Sequence, residues 1–423
     1  MAHSFTYKLI PLAAAILSFT AQAANDEKRT DLQDQTSVAV TIYNENLALV
    51  KDRRTIKLDQ GFNNLAFRDV SAKMRPETAM LRNVANVNGL QVIEQNFDFD
   101  LLTPQKLLEK YVGKSIRIAT MNPATGNEKI ESAKVLSTNN GTVLQIGDRI
   151  EVNPRGRMIF DGVPDNLRDK PTLVTQLNNA SPSPQDVELS YLTGGLSWKA
   201  DYVAELNAED NRIDLLGWVT LNNHSGTTYQ NAKMQLVAGD VNRVQQVYRK
   251  AMTRGTAVTA EMVAAPMAEE GLFEYHLYTL GRPTTIADNQ TKQVALMGAS
   301  GVPVDKEFLL QGNDYYYRSS HGDIGQKMKI GVFVKLENRE KTGMGMPLPK
   351  GIVRVYKKDK AGNAQFIGED RIDHTPKNET IKLKLGDAFD VTADKKQTNF
   401  RKQHASGKYN YAFDSSYEIK LKN

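Results

Sequence analysis

Residues 189–241 read LSYLTGGLSWKADYVAELNAEDNRIDLLGWVTLNNHSGTTYQNAKMQLVAGDV, the stretch that decides the fold class. Side chains of a β-strand alternate between two faces with a period of two. Leu196, Trp198, Ala200, Tyr202, Ala204 and Leu206 fall on one face, and Ser197, Lys199, Asp201 and Glu205 on the other, with Val203 the exception. This alternation predicts a half-buried antiparallel strand. After a polar segment at 207–212, Ile213, Leu215, Gly217, Val219 and Leu221 alternate with Asp214, Leu216, Trp218 and Thr220, so the two runs predict a hairpin. Trp218 lies on the opposite parity from the apolar set, and its ring needs cover from a second layer, a loop or a partner. Burying a Trp removes about 150–250 Å² from water, several kcal/mol at about 25 cal/mol per Å². Left exposed, Trp218 marks a contact surface. Asn222, Asn223, His224, Ser225 and Gly226 are turn residues, and Met234, Leu236 and Ala238 open a third strand that stops at Gly239 and Asp240.

Outward from this stretch, the N-terminus reads as a leader. Lys8 precedes an apolar run at 9–19, and Ala21-Gln22-Ala23 supplies a small-x-small cleavage site, so residues 1–23 are expected to be a secretory signal peptide. The apolar run is too short for a bilayer, which takes about 20 residues, and no later stretch approaches that length. No transmembrane segment is therefore expected after cleavage. The chain has no cysteine, so disulfides, thiolate metal sites and cysteine nucleophiles are excluded. Its 54 Lys and Arg against 49 Asp and Glu give a net charge of +5, too mild and too dispersed to point to nucleic acid.

Residues 24–37 are charged and aperiodic and are expected to form a disordered lead-in. A β-meander follows: Val38, Val40 and Ile42, then residues 47–50, then Ile56 and Leu58, with a further strand pair around Asn88-Gly89. One short helix is predicted, with Thr103 as N-cap, Pro104 in the first turn, Leu107, Leu108 and Tyr111 along one side, and Gly113 at its end. Short strands and tight turns over about 113–152 predict a small barrel-like insertion. The segment 178–185, NNASPSPQ, has the composition of a seam. Residues 245–271 lack a sustained strand pattern and read as a mobile insertion. Alternation resumes at Met328, Ile330, Val332, Val334 and Leu336, and again at Tyr417, Ile419 and Leu421.

A short pattern recurs. VTLNN at 219–223, VKLEN at 334–338 and IKLKN at 419–423 each place a strand end before Asn. The last of these predicts an edge strand, or a chain that stops short of its full architecture.

Catalysis needs convergent groups. The densest local set is GEDRIDHTP at 368–376, where Asp370, Asp373 and His374 bring carboxylates near an imidazole. A carboxylate can orient a histidine for base catalysis, but no HExxH spacing is present and Thr375-Pro376 reads as a turn. His224 and Ser225 are adjacent in a turn, without a GxSxG elbow. His276 and His321 sit among aromatics, including Tyr315, Tyr316 and Tyr317, which would form a stacking surface for a glycan or peptide. Phosphate-loop and dinucleotide fingerprints are absent, and no cofactor is implied.

The segments GGLSWKADYVAEL, LLGWVTLNNHSGTTYQNAKMQLVAGDVNRV, GMPLPKGIVRVYKKD and FIGEDRIDHTPKNETIKLKLGDAFDV resemble a family of secreted bacterial proteins classed as a domain of unknown function and related to mucoidy-inhibitor-A-like proteins. The resemblance runs from about residue 38 onward. It implies a multi-domain β protein of the cell envelope and supplies no catalytic residues. Relatives of this type continue past the segment that resembles 417–423, which is consistent with a C-terminus shortened relative to them.

The expectation is a mainly β, multi-domain protein. It has an N-terminal β domain at 38–177 and antiparallel, immunoglobulin-like β-sandwich modules at 178–312 and 313–423. It is exported to the periplasm or peripheral envelope and acts without catalysis, by binding an envelope protein or glycan. Trp218, Tyr315, Tyr316 and Tyr317 are the candidate contact surface. The alternative is an envelope glycan or peptide hydrolase that uses Asp370, Asp373 and His374.

Overall fold

A computed structural model of the protein describes residues 27–44, 46–164, 167–239, 267–312, 318–404 and 411–423. The expected signal segment, positions 245–266 of the expected insertion, and Tyr315, Tyr316 and Tyr317 lie outside the described residues.

The chain is mainly β, and Pro104–Lys110 is the one α-helix among the described residues. Its start follows the sequence signal: Thr103 Oγ1 accepts the Lys106 N–H at 3.1 Å, satisfying one of the free donors of the first turn. Leu108 and Tyr111 pack with Ile116, Ile118, Val135 and Leu144 in a small core of their own. The sheet beneath the helix runs Arg149–Val152, Val143–Ile146, Glu128–Ser137, Ser115–Met121, Arg157–Ile159, with every pair antiparallel. It is open, which corrects the expected barrel over 113–152. A barrel must pair its first and last strands, whereas Arg149–Val152 and Arg157–Ile159 lie on opposite edges and the helix closes the core face instead.

The expected disordered lead-in is also corrected. Glu27–Thr30 is a strand parallel to Gly61–Arg68, and Gln35–Tyr43 begins within the segment. Charge explains what hydropathy missed. Arg168 donates to both Glu27 carboxylate oxygens, at 2.8 and 2.7 Å, and to Asp98 at 3.0 Å. This bidentate bond holds the Glu27 carboxyl below its usual range, against the opposing effect of burial. Thr172–Asn179 and Leu90–Asp98 complete this four-stranded sheet.

Two eight-stranded sheets form the body. The central one runs Ala364–Ile372, Gly351–Lys358, Leu196–Leu206, Arg212–Asn223, Gln290–Leu309, Asp323–Glu337, Thr380–His404, Tyr411–Lys422. The opposing one runs Ala268–Leu272, Tyr275–Thr279, Tyr229–Ala238, Gln35–Tyr43, Leu47–Ile56, Gln185–Thr193, Met80–Asn83, with Thr284–Ile286 beside Tyr229–Ala238. Residues 268–271, the last of the expected mobile insertion, thus belong to a strand paired with Tyr275–Thr279. Each sheet runs across one sequence boundary: in the opposing sheet Leu47–Ile56 pairs with Gln185–Thr193 across 178, and in the central sheet Leu196–Leu206 pairs with Gly351–Lys358 across 313.

The hairpin read from 196–223 is present in full register, with Leu196 opposite Asn223 and Leu206 opposite Ile213. All six residues of its first apolar row are buried. Trp198 of that row reaches across to Tyr278 of the opposing sheet, ring centres 6.4 Å apart, and one hydrophobic cluster joins both large sheets with the four-stranded one. The third strand does not extend the hairpin. Tyr229–Ala238 crosses to the opposing sheet and lies parallel to Gln35–Tyr43.

Buried polar groups pin that crossing. Asn223 Nδ2 donates to the carbonyls of Thr227, Ile286 and Ala287 at 2.9, 3.3 and 3.0 Å. Its Oδ1 accepts from Ser225 N–H and Ser225 Oγ at 3.0 and 2.7 Å. Asn338 repeats the device at the second occurrence of the pattern. Its Nδ2 donates to Met346 and Pro376 carbonyls at 2.8 and 2.9 Å, and its Oδ1 accepts from Gly345 N–H at 2.9 Å. Both side chains are fully buried. An asparagine at a strand end thereby supplies the partners that a buried loop backbone must have.

Candidate functional site

The outer face of the central sheet carries an exposed apolar pair. In strand Leu196–Leu206 the parity exception Val203 points outward, directly opposite Leu216 of the neighbouring strand. Val203 is 38% exposed and Leu216 51%. Trp218, two residues along the same face, is half-buried. Gly298 stands opposite Leu216 on the next strand, and its missing side chain leaves Leu216 uncovered on that flank. A bulge lies beside them: Gly217 faces Met297 while Trp218 faces Ala295, so Leu296 is the extra residue. Bulges bend a strand and re-aim its side chains, and here Leu296 and Met297 are both buried in succession.

Charge frames this apolar strip. Asp201 stands opposite Trp218. Its carboxylate receives Arg354 Nη1 at 3.1 Å and Thr220 Oγ1 at 3.3 Å, with Lys199 Nζ at 3.4 Å. Arg354 also meets Glu369 at 3.2 Å, and Lys358 meets Glu205 at 2.6 Å. An apolar centre with a satisfied polar rim is the anatomy of a protein contact surface.

The residues weighed for catalysis are placed differently. Asp370 lies in strand Ala364–Ile372, where its Oδ2 accepts the Lys384 N–H at 2.7 Å and its Oδ1 the Arg371 N–H at 2.8 Å. Asp373 is exposed, and its backbone carbonyl accepts Thr375 Oγ1 at 2.8 Å. His374 Nδ1 accepts the Lys350 N–H at 3.3 Å. Asp370 is thus committed to backbone donors, and the three residues run along a strand end and the turn after it. Ser225 is fully buried with its hydroxyl on Asn223, whereas the exposed His224 contacts Asn289 through Nδ1 at 3.1 Å. Around Ser225 lies a knot of hydroxyls: Ser71 Oγ is 2.6 Å from Thr193 Oγ1 and donates to the Ser225 carbonyl at 3.0 Å. Burial pushes the neighbouring Tyr229 phenol up to about 12.

His276 Nδ1 is 2.8 Å from Glu269. Of the aromatics near it, Tyr278 is buried and Phe273 is exposed at the tip of a hairpin, with φ +58°. A cleft of about 240 Å³ is lined by Arg29, Arg68 and Arg168, but Glu27, Asp169 and Asp98 engage these guanidiniums. Among the described residues no group of three or more His, Asp or Glu is placed to hold a metal ion, and no helix is long and apolar enough to cross a membrane.

Sequence parity located Trp218 and the Val203 exception. The Asp201 and Arg354 pair was not visible, because 153 positions separate the two residues and only the parallel pairing of their strands brings them together. Comparison with protein-family models, curated proteins and solved structures returned no match.

Proposed function

We propose that the protein is an exported component of the bacterial cell envelope, of the domain-of-unknown-function type that its motifs resemble. It acts without catalysis, binding an envelope protein or glycan through the outer face of its central sheet. The architectural half of the proposal is sandwich packing of immunoglobulin-like type, supported by the core that the two large sheets share. One observation carries the functional half: Val203 and Leu216 stand side by side and exposed, next to Trp218, with paired charges along one flank. An uncovered apolar pair at the centre of a sheet forgoes burial worth about 25 cal/mol per Å² unless a partner covers it.

Fractionation of cells that express the tagged chain tests the address, and copurification tests the surface. The expected result is recovery in the periplasmic or peripheral envelope fraction, with a bound envelope component that Val203→Ser/Leu216→Ser loses while far-UV circular dichroism stays unchanged. Trp218 fluorescence should shift to the blue when that component is added back. Cytoplasmic recovery, or an identical set of bound components for the double variant, overturns the proposal.

A further inference from the structure

The strand Tyr411–Lys422 closes one side of the central sheet. It pairs antiparallel with Thr380–His404 along its length, and among the described residues no strand pairs with its other side. Long open edges are normally protected by proline, bulges or very short strands. This one has twelve residues and no proline, and the register shift in the pair falls between Gln397 and Asn399, on the inner neighbour.

Its sequence has the pattern of a strand with two neighbours. Residues 219–223 and 334–338 carry the V-x-L-x-N form of the pattern, and each lies in a strand flanked on both sides. There Val219, Leu221, Val334 and Leu336 are buried. In the third occurrence Ile419 is 50% exposed and Leu421 68%. Their row is the inward one, since Phe413, Ser415 and Tyr417 on the same parity are half-buried. No residue of this strand joins either buried core, and among the described residues no strand lies beside it on its open side.

Charge selects what can lie there. Glu418, Lys420 and Lys422 occupy the other parity. Edge lysines repel a basic strand and would have to be desolvated against an apolar one, which is how many edges stay unpaired. An antiparallel second copy centred on Ile419 turns the same charges into attraction. In that register Glu418 faces Lys420 of the other copy, twice by symmetry. Ile419 faces itself, and Tyr417 faces Leu421. A shift by one residue would put apolar against charged side chains, and centring on Glu418 or Lys420 would oppose like charges. Centring on Tyr417 would place Lys420 against Asp414 but leave Ile419 against Ser415. We propose that Tyr411–Lys422 is a homotypic edge, through which two copies of this chain join antiparallel about Ile419 with two-fold symmetry. This inference is independent of the outer-face reading, because it concerns a different part of the sheet and a different partner.

The contact is small. Two strands of about nine residues bury less than the roughly 1,200–2,000 Å² of standard interfaces, so association should be weak and concentration-dependent. Within one copy Lys420 Nζ lies 3.3 Å from Glu418, an exposed pair that dimerisation would share rather than break.

Sedimentation equilibrium of the whole chain over a wide concentration range tests the proposal. The expected result is a reversible monomer–dimer equilibrium. Lys420→Glu should weaken it at least tenfold, because Glu418 would then face Glu, and Glu418→Lys/Lys420→Glu should restore it to within about threefold. Restoration by the double variant also shows that the single one fails through charge rather than misfolding. A monomer at every concentration overturns the proposal, as does a dimer that Lys420→Glu leaves unchanged. Loss in the single variant without recovery in the double one overturns the Ile419-centred pairing.

Discussion

Residues 219–223 and residues 419–423 share an alternation of aliphatic and other side chains that ends on Asn, and they meet opposite fates. Val219, Leu221 and Asn223 are fully buried, and the Asn223 amide clamps the loop after the strand. Ile419, Leu421 and Asn423 are exposed. The difference lies in the neighbours. Arg212–Asn223 runs between two strands and contributes to the shared core, whereas among the described residues Tyr411–Lys422 has one flanking strand and contributes to neither core. Residues 334–338 confirm the point from a third position, because there two flanking strands again accompany a buried row and a clamping Asn338. The pattern therefore encodes a capacity for burial, and the sheet decides whether that capacity is used.

Paired substitutions break or sharpen this contrast. The largest effect is expected from Asn223→Ala, which leaves three loop carbonyls and Ser225 without their partner. At about 1–3 kcal/mol for each buried polar group left unmet, the loss should reach about 4 kcal/mol, read from urea denaturation. Asn423→Ala should stay within about 0.5 kcal/mol, as exposed positions do. Leu221→Ala should cost about 3 kcal/mol by loss of buried area and creation of a cavity. Leu421→Ala should be nearly neutral in dilute solution. Equal costs at the two leucines would refute the neighbour-count explanation.

A smaller effect concerns the other kind of edge. Among the described residues Glu27–Thr30 also has a strand on one side only, but it is held by the Arg168 ion pair instead of an apolar row. The Glu27 pKa is depressed in the folded chain, so its contribution is present above the unfolded carboxylate value of about 4.3 and fades as pH falls through the lower, folded value. Amide exchange at 28–30 should therefore accelerate in acid, and Glu27→Gln should be fast at both pH values. An acid response that persists in Glu27→Gln would assign it elsewhere.

Much of the architecture was legible because parity reports which face of a strand is buried. It identified the 196–223 hairpin and the displaced Trp218, while the cap at Thr103 and Pro104 identified the helix. It does not report which strand comes next. That is why the sequence places a third strand after the hairpin without showing that Tyr229–Ala238 crosses to the opposing sheet, and why the short strands after the helix read as a barrel. Glu27–Thr30 escaped notice for a different reason: a partner 141 positions away orders it, and local composition carries no trace of that. The same limit hid Arg54, which follows Val50 and Asp52 on the core-facing row. Fully buried, its guanidinium lies 3.8 Å over the Phe67 ring and bonds Asp52 at 2.8 Å. Two opposite charges at i and i+2 on an apolar parity were the available signal. For the candidate site, sequence adjacency of Asp370, Asp373 and His374 suggested convergence, whereas an extended backbone separates successive side chains along and across the strand.

The strand at 411–422 is an open edge among the described residues, while the same pattern at 219–223 is sealed. Backbone hydrogen exchange at two protein concentrations tests this most directly. Exchange at 219–222 should be slow at both concentrations. At 417–421 alternate, outward-facing amides should exchange fast when dilute and slow down as concentration rises. Protection at 417–421 equal to that at 219–222 in dilute solution would contradict it.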